Sequence, residues 1–303
     1  MLSARGLTKR YGSVTALQEV SFELGDGRVL ALVGPNGAGK TTLIKCLIGL
    51  VKFEGGAEIQ GVDVARKGRQ ARALVGYLPQ NPAFHADMTV AETALFYADL
   101  KGLPAARARA VVESAGLSEH AQKRTGALSG GMRQRLALAM ALLAEPPVLI
   151  FDEPVAGLDI GARLELRRLV LEQRAKGISV LLSTHWLEDV PYIADDVLVL
   201  DHLGRPVTPG PATRLNGATL GASRLYLRVN GRTPDAIHLI NGMLPDGAVD
   251  RSGDWLVVAC QGSEKARVVE NLVVSGIKVL DFRVEETPVD TALIERLTTG
   301  GEL

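Results

Sequence analysis

The stretch Leu30-Ala31-Leu32-Val33-Gly34-Pro35-Asn36-Gly37-Ala38-Gly39-Lys40-Thr41-Thr42 organises the chain. It passes from a short apolar segment through a glycine-rich turn into a helix beginning near Lys40. Gly34, Gly37 and Gly39 are expected to give the backbone positive φ and close approach to a ligand. Successive N–H groups in such a turn converge on one concavity, which suits phosphate oxygens. The N-terminus of the following helix adds roughly half a positive charge. The spacing fits G-x-x-x-x-G-K-[ST], with Gly34, Gly39, Lys40 and Thr41 at the named positions. In that pattern the lysine reaches the β- and γ-phosphates and the hydroxyl holds Mg²⁺. A glycine turn before an ordinary core helix would read the same way locally. The strand before and the helix after are the context that the phosphate reading requires.

Working outward, 303 residues suffice for a large core and about two domains. Hydrophobic residues make up 47% and charged residues 22%, an ordinary globular balance. The formal net charge is zero, so no global field points to nucleic acid or an anionic surface. Two cysteines, Cys46 and Cys260, argue against a disulfide framework or a cysteine zinc site and suit a reducing cytosol. The five histidines show no metal-ligand spacing. Met1 to Gly6 has no apolar signal core. The longest apolar candidate, Leu136 to Ala144, falls far short of the ~18 residues that a bilayer span needs. The expectation is a chain that is soluble or peripheral by itself.

Residues 2–33 read as short strands over Leu2 to Leu7, Ala16 to Leu24 and Val29 to Val33, with Tyr11 in a turn. Val29 to Val33 is continuously apolar, as in a strand covered on both faces. A helix over Thr41 to Leu50 follows the glycine loop. Leu74 to Leu78 is a strand stopped by Pro79, which leaves Gln80 at its end. Two amphipathic helices cover Ala91 to Leu100 and Ala105 to Ala115. Leu128-Ser129-Gly130-Gly131 then opens what reads as the longest helix, running to about Ala144. Ser129 is an N-cap candidate. Gly130 and Gly131 leave that helix N-terminus uncovered, a second place for an anion. Val148 to Phe151 is another buried strand, and Asp152-Glu153-Pro154 leaves its end. Two adjacent carboxylates could form a surface turn, but a phosphate loop also needs a carboxylate at a neighbouring strand end for Mg²⁺. A helix from about Ala162 to Ala175 and a strand from Ser179 to Ser183 follow, with His185 just beyond. That histidine lies at the sheet edge where open α/β sheets bind ligands.

Pro206 to Gly221 is rich in Pro, Gly, Thr and Ala and marks a boundary. The expected domains are 1–213 and 222–303. The second alternates strand and helix patterns: Arg224 to Val229, Pro234 to Met243, a weak strand near Ala248, Trp255 to Ala259, Glu264 to Val274 and Lys278 to Val284. This is the β-α-β-β-α-β order of a ferredoxin-like unit. A short amphipathic helix over Pro288 to Leu297 is expected to close the chain.

Roughly the first 210 residues resemble the nucleotide-binding subunit of ATP-binding cassette (ABC) transporters. The features appear in the family's order: Tyr11, the Walker A loop Gly34 to Thr42, Gln80 in the Q-loop, the signature Leu128 to Gly131, Walker B at Val148 to Glu153, Asp159 in the next loop, and His185 in the switch loop. Met132 stands where the family has Gln, and Val155 where it usually has Thr; neither position has an obvious chemical role.

The resemblance implies an α/β P-loop ATPase fold, with a mixed sheet core, an antiparallel β subdomain and a helical signature subdomain, followed by the small α+β domain. It implies ATP with Mg²⁺. Tyr11 would stack on adenine, and Gly34, Pro35, Asn36, Gly37, Ala38, Gly39, Lys40, Thr41 and Thr42 would hold the phosphates. Thr41, Gln80 and Asp152 would serve Mg²⁺. Glu153 would be the general base, with Lys40 and His185 stabilising the γ-phosphate. Family members work as head-to-tail dimers, so Ser129, Gly130, Gly131 and Asp159 would serve the opposite subunit's ATP. The implied partners are a second nucleotide-binding subunit and a separate transmembrane permease at the cytoplasmic face of the membrane, with no nucleic acid. An α/β C-terminal extension resembles bacterial multidrug or copper-type exporter ATPases and differs from the β-barrel tail of many sugar importers. An importer ATPase is the alternative, marked by a neighbouring gene for a solute-binding protein. A soluble cassette ATPase on ribosomes or DNA is a third reading, opposed by the single cassette, the absence of a heptad run and the zero net charge.

Lys40→Ala removes the cation that the motif aims at the β- and γ-phosphates. We expect ATP turnover to be abolished and nucleotide binding strongly weakened; wild-type hydrolysis by the purified variant would refute the phosphate-loop assignment.

Overall fold

The computed structural model describes residues 1–154, 160–184, 190–211, 223–231, 233–244, 248–260 and 264–286. The chain divides into two units, Met1–Thr213 and Arg214–Leu303.

In the first unit, continuous apolar runs take the middle of a sheet, because only a strand covered on both faces can bury every side chain. Strand β3 (Val29–Val33) is wholly buried. It lies parallel to β8 (Ser179–Thr184) on one side and β9 (Asp196–Leu200) on the other. Beyond β8 come β7 (Val148–Phe151) and β6 (Val75–Leu78), also parallel. β10 (Pro206–Pro211) closes the other side antiparallel to β9, completing the order β10-β9-β3-β8-β7-β6. The carboxyl ends of β3, β6, β7 and β8 therefore share one rim, where such sheets bind ligands. β10 falls inside the segment expected to be a boundary; Pro206, Pro209 and Pro211 are tolerated there because an edge strand leaves one row of N–H groups unused.

A second, antiparallel sheet has the order β2-β1-β4-β5. Its strands are β1 (Leu2–Tyr11), β2 (Val14–Leu24), β4 (Glu54–Ile59) and β5 (Val62–Asp63). β1 and β2 are longer than their apolar patterns suggest, since cross-strand pairing continues to Tyr11 opposite Val14. Helix α1 (Lys40–Leu47) lies between the two sheets, and Leu43, Ile44 and Leu47 join residues of both in one core with Leu2, Leu24, Leu32 and Ile150. The short helix α2 (Gly68–Ala73) carries Arg69 and Arg72.

The helical subdomain comprises α3 (Val90–Leu100), α4 (Ala105–Ser114) and α5 (Gly130–Leu142) around Val90, Ala94, Val111, Leu117 and Leu136. Thr89 starts α3 with a capping box: its hydroxyl accepts from the N–H of Glu92, whose side chain accepts from the N–H of Thr89. Helix α5 also packs Ala137 and Ala141 against Leu149 and Phe151 of the main sheet. At 13 residues α5 is shorter than expected; α6 (Ile160–Ala175), with 16, is the longest among the described residues. The short α7 (Val190–Ile193) precedes β9.

The second unit follows the β-α-β-β-α-β order through β11 (Ser223–Val229), α8 (Thr233–Asn241), β12 (Val249–Ser252), β13 (Trp255–Cys260), α9 (Glu264–Val274) and β14 (Val279–Glu286). Its antiparallel sheet has the order β12-β13-β11-β14, the ferredoxin-like arrangement. Leu225, Leu227, Ile240, Leu256, Val258 and Leu272 fill a core of its own. The helix expected over Pro288 to Leu297 lies outside the described residues.

The seat of α5 on the sheet depends on Gly76 in β6. A Cβ there would lie 2.1 Å from the Ala141 carbonyl oxygen and 2.8 Å from the Pro146 ring. Gly76→Val should push α5 off the sheet and destabilise the protein by about 2 kcal/mol, the middle of the overpacking range. A fall in thermal midpoint of roughly 4–8 °C by circular dichroism is expected for a unit of this size.

Candidate functional site

The loop after β3 is shaped by crowding as much as by backbone freedom. Gly37 and Gly39 have φ of 86° and 90°, as expected of residues that glycine makes permissible. Gly34 does not have positive φ, which corrects the expectation from sequence. It must be glycine because a Cβ there would lie 2.6 Å from the Leu200 carbonyl oxygen. A Cβ at Gly39 would lie 2.6 Å from the Ala16 carbonyl oxygen and 2.9 Å from the Leu17 side chain. The loop is thus pressed between β9 and β2. Tyr11, 47% exposed, sits on the hairpin that leads into β2, with Lys9 Nζ 4.5 Å from its ring centre. Tyr11 is the last residue of β1 and pairs with Val14, so it stands at the strand end immediately before the turn, whereas the sequence pattern places it in the turn.

Lys40 opens α1 and is only 5% exposed. Its ammonium folds back over the loop and donates to the carbonyls of Gly34 at 2.7 Å and Pro35 at 3.1 Å. It also lies 3.5 Å from Glu153 Oε1. Asp152 and Glu153, at the end of β7, part company. Asp152 is 1% exposed, and its Oδ1 accepts from Thr41 Oγ1 at 3.1 Å and from Ser183 Oγ at 2.8 Å. Glu153 adopts φ 46°, a left-handed conformation costing about 1–3 kcal/mol for a non-glycine residue. Its N–H donates to Ser183 Oγ at 2.8 Å, and its Oε2 accepts from Gln80 Nε2 at 2.9 Å. Ser183 therefore holds both carboxylate residues through one hydroxyl, which accepts from one backbone and donates to the other side chain.

The sequence reading missed Ser183. The available signal was a hydroxyl near the end of an otherwise apolar strand, Val180-Leu181-Leu182. Lys40, Thr41, Gln80, Asp152 and Glu153 converge, and Gln80 meets Glu153. Burial pushes the nearby Tyr77 hydroxyl up to about 12, and the Asp152 charge adds to this.

Ser129 caps α5, its Oγ accepting from the Met132 N–H at 3.3 Å. Gly130 and Gly131 are exposed, neither has positive φ, and a Cβ on either would meet nothing within 4 Å. Asp159 and His185 lie outside the described residues, His185 one position beyond the end of β8.

A glycine loop between a central parallel strand and a helix, closed by a buried lysine and faced by two carboxylates from the end of β7, the next strand but one, defines the P-loop nucleoside-triphosphatase class. The family described as ABC transporter matches residues 17–156. The chain is 35% identical over 261 residues to the Nod factor export ATP-binding protein I of Ralstonia nicotianae, covering 84% of this chain and 80% of that one. It is 32% identical over 295 residues to the linearmycin resistance ATP-binding protein LnrL of Bacillus subtilis, covering 94% of each. A solved ATP-binding subunit of an ABC transporter superposes with a TM-score of 0.66 at 32% identity, over 71% of this chain and 92% of that one. The chain belongs to the ATP-binding subunits of ABC transporters. It is an ATPase, and Met132 and Val155 do not remove it from that family.

Burial raises the Asp152 pKa above its ordinary 3.8; the hydrogen bonds from Ser183 and Thr41 oppose this, the Glu153 charge adds to it, and the Lys40 charge opposes it. With a folded-state pKa above the unfolded one, the folded chain holds a proton that the unfolded chain has lost. This group's contribution to stability therefore falls as pH rises from 3.8 through the raised value. Asp152→Asn keeps an oxygen acceptor for Thr41 and Ser183 but cannot ionise. In nucleotide- and metal-free protein, the thermal midpoint of the variant should gain on wild type between about pH 4 and neutrality. A gap that stays constant or shrinks over that range would contradict the burial argument.

Proposed function

We propose that this chain powers export through a separate permease, hydrolysing Mg-ATP at two sites shared between a pair of such subunits. The observation that carries the catalytic part is the convergence of Lys40, Thr41, Asp152 and Glu153 at one sheet rim. The backbone N–H groups of residues 36–42 and the Lys40 ammonium bind and orient the β- and γ-phosphates. In the structure Lys40 donates to the loop's own carbonyls, so it is held in place before a phosphate arrives. Tyr11 stands exposed on a hairpin next to the loop and offers its ring to adenine.

The donors fit Mg²⁺, which favours oxygen ligands and retains waters: the Thr41 hydroxyl and the Asp152 carboxylate lie within 3.1 Å of one another, and the Gln80 amide stands at the same rim. When bound, the ion supplies charge neutralisation between the phosphates. The Glu153 carboxylate, fixed by Ser183 at its backbone and by Gln80 and Lys40 at its oxygens, is placed to orient a water and take its proton. His185 follows β8 and is assigned to the γ-phosphate by its position in the sequence.

The shared site is supported by the signature glycines. Among the described residues nothing lies within 4 Å of a Cβ at 130 or 131, and close approach by a nucleotide from another subunit is a requirement these glycines would meet. Ser129, with Asp159 in sequence, would serve that opposite ATP. Export is supported by the relatives. Those whose names specify Nod factor export and linearmycin resistance align over 261 and 295 residues, well past the 213 of the first unit. No helix among the described residues is long and apolar enough to cross a membrane, so a separate permease at the cytoplasmic face is the fitting partner. The second unit contains none of the assigned residues and is read as accessory.

Glu153→Gln should slow hydrolysis by roughly two to four orders of magnitude, the usual contribution of a general base. ATP binding should survive, and the closed pair should accumulate with Mg-ATP, seen as a nucleotide-dependent compaction in small-angle scattering. Adding Ser129→Arg should abolish that closure while each chain still binds nucleotide. A Glu153→Gln protein that binds ATP and shows no Mg-ATP-dependent closure, even with the permease present, would count against the shared site.

A further inference from the structure

The sheet of the second unit has two edges of opposite character. β12 is four residues long and exposes Asp250, Arg251 and Ser252, a short polar edge that does not recruit another strand. β14 is eight residues long; Phe282 is 58% exposed, and Leu280 and Val284 are exposed as well. Pairing with β11 sets Phe282 opposite Leu227 and Val284 opposite Leu225. The two exposed residues thus share the face on which those leucines are buried, and the core simply stops before the edge. On the other face Asp281 lies 3.4 Å from Arg228, and the Arg283 guanidinium sits 4.3 Å from the Tyr226 ring centre. Other sheet edges among the described residues are protected. β10 carries three prolines, β5 and β6 have two and four residues, and β2 exposes Thr15, Gln18, Glu19, Ser21 and Glu23.

The edge sequence Leu280-Asp281-Phe282-Arg283-Val284 is self-complementary. In an antiparallel pair centred on Phe282, Phe282 faces its own copy, Asp281 faces Arg283 and Leu280 faces Val284. Centring on Asp281 would oppose two aspartates. Centring on Arg283 would oppose two arginines and set Asp281 against Glu285. A half-step centre would place the apolar face of one strand beside the charged face of the other. Directly opposed opposite charges stabilise such a pair and like charges destabilise it.

We infer that β14 pairs antiparallel with β14 of a second copy of this chain, across a two-fold axis through Phe282, joining two four-stranded sheets into one of eight strands. Asp281 then lies between Arg228 of its own sheet and Arg283 of the second copy. Phe282 and Val284 of the two chains then adjoin on the helix-bearing face, with Leu280 at the register shift of the β11 pairing. The contact involves none of the nucleotide-site residues, so it forms without ATP and is independent of the function proposed above.

The test uses the full chain without nucleotide. Light scattering should give a dimer, and Phe282→Lys should halve the mass while circular dichroism stays unchanged. Opposed residues of an antiparallel pair have Cα atoms about 4.5–5.5 Å apart, within disulfide reach. Phe282→Cys should therefore form a covalent dimer on oxidation. Asp281→Cys and Arg283→Cys should each fail alone and cross-link when mixed. Cys46 and Cys260 are buried and contribute no background. A monomeric nucleotide-free chain, or cross-linking of Phe282→Cys no greater than that of Val273→Cys on the exposed side of α9, would overturn the inference. So would equal cross-linking at all positions. Loss of ATPase activity in wild-type protein would bear on the nucleotide site and leave this result unaffected.

Discussion

The Asp152 carboxylate is buried at the meeting point of three segments, and burying a carboxylate without partners would cost several kcal/mol. Thr41 from α1 and Ser183 from β8 supply the hydrogen bonds that make the burial tolerable. Each partner is thereby tied to the end of β7. The register of the parallel strands supplies the geometry, since Phe151 pairs with Leu182 and brings the next residues of both strands together. Glu153 depends on the same arrangement. Its left-handed backbone is held by the Ser183 hydroxyl, and the turn it makes sends its side chain toward Lys40 and Gln80 while Asp152 stays inside.

Steric closeness does a comparable job for the phosphate loop. Gly34 meets the backbone of β9 and Gly39 meets that of β2, so the loop is clamped from the parallel sheet on one side and the antiparallel sheet on the other. The same contact with β2 fixes the hairpin that carries Tyr11 relative to the loop. A flexible glycine loop acquires one shape because its neighbours leave no room for a second, and Lys40 completes it by donating to two of its carbonyls.

The helical subdomain is attached by ordinary packing. The helical subdomain has its own apolar core but rests on the main sheet through Ala137, Ala141 and the space that Gly76 leaves. That seat orients the N-terminus of α5, where Ser129 caps the helix and two glycines leave it open. The second unit has its own core, which reaches Val279 of the edge strand and leaves Phe282 and Val284 exposed.

Much of this was legible from the chain alone. The glycine spacing and the lysine-threonine pair announce a phosphate loop because few other sequences need that pattern, and continuous apolar runs announce buried parallel strands. The β-α-β-β-α-β order of the second unit was readable too, including the weak strand near Ala248, because its alternation is local. Other features came only from tertiary structure. Gly34 is glycine for lack of space beside Leu200, a residue 166 positions away in number (200 − 34), and no local pattern encodes that crowding. β10 was hidden because three prolines read as linker, and only its place at a sheet edge makes them compatible with a strand. Ser183 looked like one more strand residue; it matters because β8 lies in register beside β7, and that pairing places its hydroxyl between the two carboxylate residues. Local sequence determines which segments can become strand, turn or helix, whereas hydrogen bonds between segments far apart in the chain exist only once the sheet order is set.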